Sequence, residues 1–493
     1  MAGVVTNART DTLVRGREMA AERLVLTASD SEISLSGKGT FDAVPVDMTW
    51  KQAIGRPGAI LPGRVTAQAV ITPEALDAFG IALPRGMLQG QAEAEISIDL
   101  VKGAPPQLVL TSDLKGAQLA IPEVNWNKSA QADARLSLAV TLGAAPKVDA
   151  IELDGPGLFA QGELSLTPAQ QLQRLRLNEL RLGEWLDAPV DLIGRGNGVP
   201  LGVEIRGGTV DLRRAEFGDS ANTQSQGSPL SIALDRLQVS DTIAIMDLRG
   251  DFSTAGGISG QFEGDINGGA LISGQVTPRG GRSAIRVQAE DAGRVLAAAG
   301  VTQQARGGRV DLELVPIGTG GAFDGTLRIE DTRITEAPAM AALLNSISVV
   351  GLIDELNGDG IRFSEIAADF RLAPSQITLR QASAVGASMG LSMDGVFVPD
   401  TGRIQMQGVI SPIYLVNAIG SILTRPGEGL FGFNYSISGT TSEPEVFVNP
   451  LTAFVPGMFR NIFRAAQPEV PLEDGEPERP KRAPPVVTRG EDR

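Results

Sequence analysis

Histidine and cysteine are both missing from this 493-residue chain, and aromatics are scarce: 16 Phe, three Trp and two Tyr. Without His there is no Ser-His-Asp triad, no imidazole base and no His-ligated metal. Without Cys there is no thiol nucleophile, zinc thiolate, iron–sulfur cluster or disulfide. Such a chain can pass through an oxidising compartment with nothing to mispair. Carboxylate, Lys, Ser/Thr and Tyr chemistry is what remains, a narrow menu for this length. Basic charge is also short: 43 Lys and Arg against 58 Asp and Glu give a net charge of −15. Nucleic acid is disfavoured as a partner, because its phosphates need clustered cations. The acids are spread along the chain, as solvation of a large surface requires.

What is present is mostly aliphatic. Hydrophobic residues make up 42% of the chain and aromatics only 4%, which suggests many small, similar layers instead of one thick centre. The dominant pattern is alternation with period two. It runs through Leu24 and Leu26, Ile33 and Leu35, "VTAQAVI" from Val65, "AEAEISIDL" from Ala92, "ARLSLAVTL" from Ala134, "VDLELVPI" from Val310 and "GRIQMQGVI" from Gly402. Successive strand residues point to opposite faces, so each run reads as a strand with one apolar side. The runs end at turn residues: "DGPG" at Asp154, "GRGNG" at Gly194, "STAGG" at Ser253 and "NGDG" at Asn357. Roughly 25 to 30 strands fit this pattern, too many for one sandwich or small barrel. The expected fold is mainly β: a long curled or twisted antiparallel sheet forming an elongated groove or tube, with a few short helices and a C-terminal cap.

Helical periodicity is confined to short segments. Thr72 to Ile81 offers a Thr N-cap, a Pro at the first helical position and a Gly stop, and Asp291 to Val301 reads the same way. Aligning the two puts Leu76 opposite Leu296, Gly80 opposite Gly300 and Ile81 opposite Val301. A duplicated unit near 72–100 and 291–315 is one explanation, and chance is another. A third helix is expected from Ala337 to Leu356. Pro338, Asn345, Ser346, Ser348 and the pair Asp354–Glu355 argue for packing on a sheet over spanning a membrane. The N-terminus has no apolar signal-peptide core, so no membrane anchor is expected in the chain as it stands. Residues 465–493 are Pro-rich and charged, and are expected to be disordered.

Motifs that suggest catalysis or cofactors dissolve on inspection. "GRGNGVPLG" from Gly194 lacks the Lys-Ser/Thr ending of a phosphate loop. "DELNGDG" from Asp354 places Leu356 where a calcium loop needs a ligand. The many carboxylates occupy alternating strand positions beside Lys or Arg, as a solvated face does. No catalytic residue, metal or cofactor is expected. One region does stand out: eight of the 21 aromatics, including both tyrosines, fall between Tyr414 and Phe463. A helix is expected at Ile413 to Leu423, then a strand with Phe431, Phe433 and Tyr435 on one face. After Asn449–Pro450 comes a Phe-rich segment, Phe454 to Phe463, punctuated by Arg460 and Arg464. It reads either as a lid over the last sheet edge or as a docking element for a membrane or membrane-embedded partner, and both can hold.

These residues resemble the C-terminal region of AsmA-like proteins, the YhdP type in particular, in the wider group that includes TamB. The resemblance rests on "LLNSISVVGLIDELNGDGIRFSEIAADFRL", "GLSMDGVFVPDTGRIQMQG", "SPIYLVNAIGSIL", "GEGLFGFNYSISGT" and "PEVFVNPLTAFVPGMFRNIFR". It covers Ala337 to Arg464, about a quarter of the chain. The family-motif and cap residues are Tyr414, Asn417, Gly429, Phe431, Phe433, Tyr435, Asn449, Pro450, Phe454, Pro456, Gly457, Phe459, Arg460 and Phe463. The implied organisation is a β-rich groove body over 1–336, the AsmA-like region over 337–464 and a tail over 465–493. The implied role is phospholipid transport between inner and outer membranes, with acyl chains in the groove and anchoring in the inner membrane of a diderm envelope. Docking on a membrane or membrane protein would fall to 413–464. A TamB-like factor for outer-membrane protein assembly and a passive solenoid with a solid core are the alternatives. Family members begin with a transmembrane helix, which this sequence does not show. A portion of a longer protein, a displaced start site and an anchorless variant each account for that difference.

Overall fold

A computed structural model describes residues 1–14, 17–55, 61–81, 83, 86–143, 146–167, 169, 171–196, 198–215, 227–318, 321–347, 350–412, 427–429 and 431–455. The chain is mainly β: among the described residues, 29 strands belong to a large mixed sheet and three to a small one, joined by a few short helices. It divides into two compact units, Met1–Asn267 and Gly268–Arg493, which are taken in turn.

In the first unit the alternation becomes faces as expected. Along Gly63–Ile71, Val65, Ala67, Ala69 and Ile71 turn to one side and Arg64, Thr66 and Gln68 to the other. Each strand pairs antiparallel with the next, and "DGPG" makes the tight return between Lys147–Gly155 and Leu158–Leu166. One step differs. Pro229–Gln238 runs parallel to Gly202–Arg206 and Thr209–Asp211. The connection 212–228 has the length that such a crossover requires, and tertiary pairing selects it over the hairpin that would give an antiparallel pair.

Antiparallel succession sends the connections to alternate margins of the sheet. One margin of this unit receives connections of three to nine residues, 29–31, 54–62, 101–106, 142–146, 167–171, 194–201 and 254–258, and the far end of the crossover 212–228. The other receives the larger insertions, at 72–91 and 113–134. Here lie helix α1 (Pro73–Ala78) and the small sheet of Leu88–Gly90, Ala117–Ile121 and Trp126–Lys128. Leu88, Ala92, Leu114 and Ala117 are buried together beneath α1's Leu76. Trp126 leads a second cluster with Leu158, Leu182, Leu186, Leu234 and Leu248. Lys128 pins the insertion: its buried ammonium donates to the carbonyls of Leu114 at 2.8 Å, Ala117 at 2.9 Å and Ser129 at 3.1 Å.

In the second unit, α2 (Ala292–Ala298) connects the paired strands Arg282–Ala289 and Arg309–Pro316, as α1 connects Gly63–Ile71 and Ala92–Leu100. The two helices are capped alike. Thr72 and Asp291 accept from the amides of Ala75 and Arg294. Gly80 (φ +74°) and Gly300 (φ +71°) adopt the left-handed conformation, and Ile81 and Val301 each donate 2.9 Å back to Leu76 and Leu296. This is the Schellman pattern, which satisfies the orphan carbonyls of the last turn. The expected helix over Ala337–Leu356 is interrupted, as α3 (Pro338–Ser346) and α4 (Val350–Asn357). Serines and β-branched residues crowd 346–350, where helix propensity is poor. "NGDG" ends α4 instead of closing a hairpin, with Gly360 donating to the carbonyl of Glu355 at 2.8 Å. Leu343, Leu344, Leu352 and Leu356 pack from these helices onto Ile361, Phe363, Met389, Ile410, Tyr435 and Ile437. Among the described residues no helix is long and apolar enough to cross a membrane.

Candidate functional site

The register of the strands produces a feature that no single strand contains. In the first unit, directly paired residues form an unbroken apolar row: Leu26, Leu35, Trp50, Val65, Ile98, Leu108 and Val140, then Val148, Leu164, Leu175, Leu192, Val203, Leu230 and Phe252. A second row runs two residues away on the same face: Met48, Ala67, Ile96, Leu110, Leu138, Ile151, Gly162, Leu177, Val190, Ile205 and Ile232. Together they form an apolar lane. At about 4.8 Å per strand, the first row follows the sheet for roughly 60 Å.

The lane is open. From Leu35 to Phe252 every member of the first row is half-buried, and none is sealed from solvent. Burial begins in the second row, at Gly162, Leu177 and Val190, and is general near the margin that carries α1 and the small sheet, at Ala92, Leu158, Leu182 and Leu234. An apolar face that a domain core would cover thus remains available along the turn margin.

The other face is polar by the same arithmetic. One of its rows reads Lys51, Arg64, Asp99, Gln107, Thr141, Lys147, and another Glu163, Arg176, Asp191, Glu204, Ser231, Asp251. Neighbouring charges pair across strands, as Arg64 with Asp99 at 2.6 Å. Asp191, fully buried, takes Arg174 at 2.9 Å and Arg206 at 2.7 Å. Carboxylates and guanidiniums thus meet as cross-strand partners on the polar face, a pairing set by register and not by adjacency in the sequence.

In the second unit comparable rows run through Val276, Ile285 and Leu314, and through Val287, Leu312, Leu327, Ala368, Ala382 and Met393. Further along, Met406, Ile437, Tyr435 and Ile410 lie beneath α3 and α4. These rows are half-buried at the start of this unit, and its last strands are covered by α3 and α4.

The sequence-derived C-terminal residues divide. Tyr414, Asn417, Pro456, Gly457, Phe459, Arg460 and Phe463 lie outside the described residues, as do the helix candidate from Ile413 and the tail. Tyr435 is buried in strand Phe433–Gly439 with Phe433 against the same core, whereas Phe431 precedes the strand and is 53% exposed. The Tyr435 hydroxyl donates to the carbonyl of Ser392 at 2.9 Å, passing over Gly408. Asn449 and Pro450 start a short 3-10 helix, Pro450–Phe454, in which the Asn449 side chain accepts from the amide of Leu451 at 3.1 Å. The Gly429 amide donates to Ser411 at 2.9 Å. Buried polar groups escaped the sequence reading. Ser392 donates to the buried carboxylate of Glu428 at 2.7 Å, and buried Arg371 forms a bidentate pair with Asp324. Phe447 and Leu451, 67% and 72% exposed, were not singled out either.

Comparison with protein-family models, with curated proteins and with solved structures finds no match to this chain.

Proposed function

We propose that this chain carries lipid, as an AsmA-like bridge for phospholipid transport between the inner and outer membranes of a diderm envelope, working in the periplasm. The observation that supports this reading is the continuous, half-exposed apolar lane. A lipid crossing water exposes its chains at about 0.8 kcal/mol per CH₂, so two chains of about 16 carbons cost on the order of 25 kcal/mol. A lane of short aliphatic side chains offsets that cost at every step and offers no deep pocket in which cargo would stall. A solid-core solenoid, in contrast, would bury both rows.

The test is photo-crosslinking to phospholipid from Leu312 or Leu327, which belong to an apolar row, against outward positions such as Glu313 and Thr326. Capture of lipid at the row positions alone is expected; equal yields at both kinds of position would sink the reading. Exposed Phe431, Phe447 and Leu451 favour a second role, a TamB-like docking surface for outer-membrane assembly. Replacing Phe431, Phe447 and Leu451 together by Ser is then expected to abolish co-purification with an assembly partner, and unchanged recovery counts against it.

A further inference from the structure

The two margins of the first unit differ in charge as well as in cover. Among the described residues, the connections on the margin bearing α1 and the small sheet hold nine acids and four bases, Lys115, Lys128, Arg213 and Arg214. Those on the turn margin hold one acid, Asp30, and two bases, Lys102 and Arg195. In a chain of net charge −15, the open side of the lane is the side spared from negative charge.

At this margin the apolar face continues into a cleft of about 430 Å³. Leu61, Leu100, Val101 and Pro106 supply its apolar walls, with Gln52 and Lys102 as polar members. Leu100 is two positions beyond Ile98 of the first row, on the same face, so the cleft is contiguous with the lane. Lys102 is exposed in the connection 101–106. Asp99, the acid nearest to it along the chain, is already engaged by Arg64 at 2.6 Å.

Resting on the lipid-carrying reading, we propose that the turn margin is a headgroup site for anionic phospholipid. Acyl chains lie across the two rows, and the phosphate emerges at the cleft against Lys102. The acidic margin repels a phosphate and the acid-poor one accepts it, so the lane takes its cargo in one orientation. Charge complementarity and an open apolar floor thus select the same side.

Trp50 sits in the first row and is half-buried, which provides a reporter. Quenching by brominated-chain phosphatidylglycerol supplied from vesicles is measured on the full chain, counting only the part that Trp50→Phe removes. Lys102→Glu is expected to weaken this uptake about three- to tenfold at low salt. It leaves uptake of brominated diacylglycerol, which has the same chains and no phosphate, unchanged. Asp77→Lys, on the acidic margin, is expected to change neither, and inorganic phosphate is not expected to compete. The headgroup site is overturned if Lys102→Glu affects both lipids equally or neither. It is overturned too if Asp77→Lys raises uptake as much as Lys102→Glu lowers it, or if inorganic phosphate displaces the lipid. If neither lipid quenches Trp50, it is the lane reading that fails.

Discussion

Asp324 carries an opposition of forces that a stability measurement can read. Burial pushes its pKa up, but the guanidiniums of Arg371 and Arg380 more than offset this and hold the carboxyl below its ordinary value. A carboxyl with a lowered folded-state pKa stabilises fully above its unfolded value, near 4, and that contribution is lost as pH falls through the folded value. Asp324→Asn removes a carboxylate shared by the buried Arg371 and by Arg380, an expected loss of about 2 kcal/mol at neutral pH. In urea titrations the gap between wild type and variant is expected to shrink as pH drops from about 5 to 2. Gly408 offers a steric counterpart. A Cβ there would lie 1.8 Å from the carbonyl oxygen of Ser392 and 2.6 Å from the Tyr435 hydroxyl. Gly408→Ala is expected to cost about 3 kcal/mol, against about 1 kcal/mol for Tyr435→Phe, which removes only the hydrogen bond. Equal losses in the two variants would argue against this account.

Elements were legible where local chemistry decides them. "AEAEISIDL" became strand Ala92–Leu100, and the Thr and Gly punctuation around α1 was read directly because caps and left-handed glycines act within a few residues. Gly80→Ala and Gly300→Ala are each expected to lower stability by about 1 kcal/mol, since each glycine serves the same left-handed cap. A thermal shift in one variant and none in the other would break that equivalence. The break between α3 and α4 was harder to read, because the apolar run continues through it and only propensity marks the stop. The parallel step after Thr209–Asp211 was not legible at all. Whether a polar connection returns by a hairpin or crosses over is settled by tertiary pairing, which no window of sequence contains. The buried pair of Asp324 and Arg371 was hidden likewise, since its members lie 47 residues apart.

At the scale of the whole molecule the lane is a property of register, and alternation foretold its chemistry without its continuity. Leu138 stands midway along the second row. On the proposed lipid-carrying role, an ionised Asp there would meet an acyl chain at a cost of about 3 kcal/mol, roughly a hundredfold. Leu138→Asp is expected to abolish lipid transfer between vesicles while lipid still crosslinks near Val65 and Val203, on either side; undiminished transfer would remove the lane as the route. The rows also set a rule for how the molecule can change length. Inserting one residue into a strand exchanges its two faces and would lay a charged stripe across the apolar floor, while inserting two restores the pattern. Odd insertions survive only where the ladder already absorbs an extra residue, as between Ala139 and Val140 or Gln161 and Gly162. The lane therefore behaves as a parity check on its own sequence: drift in even steps is silent, and a single odd step closes the road.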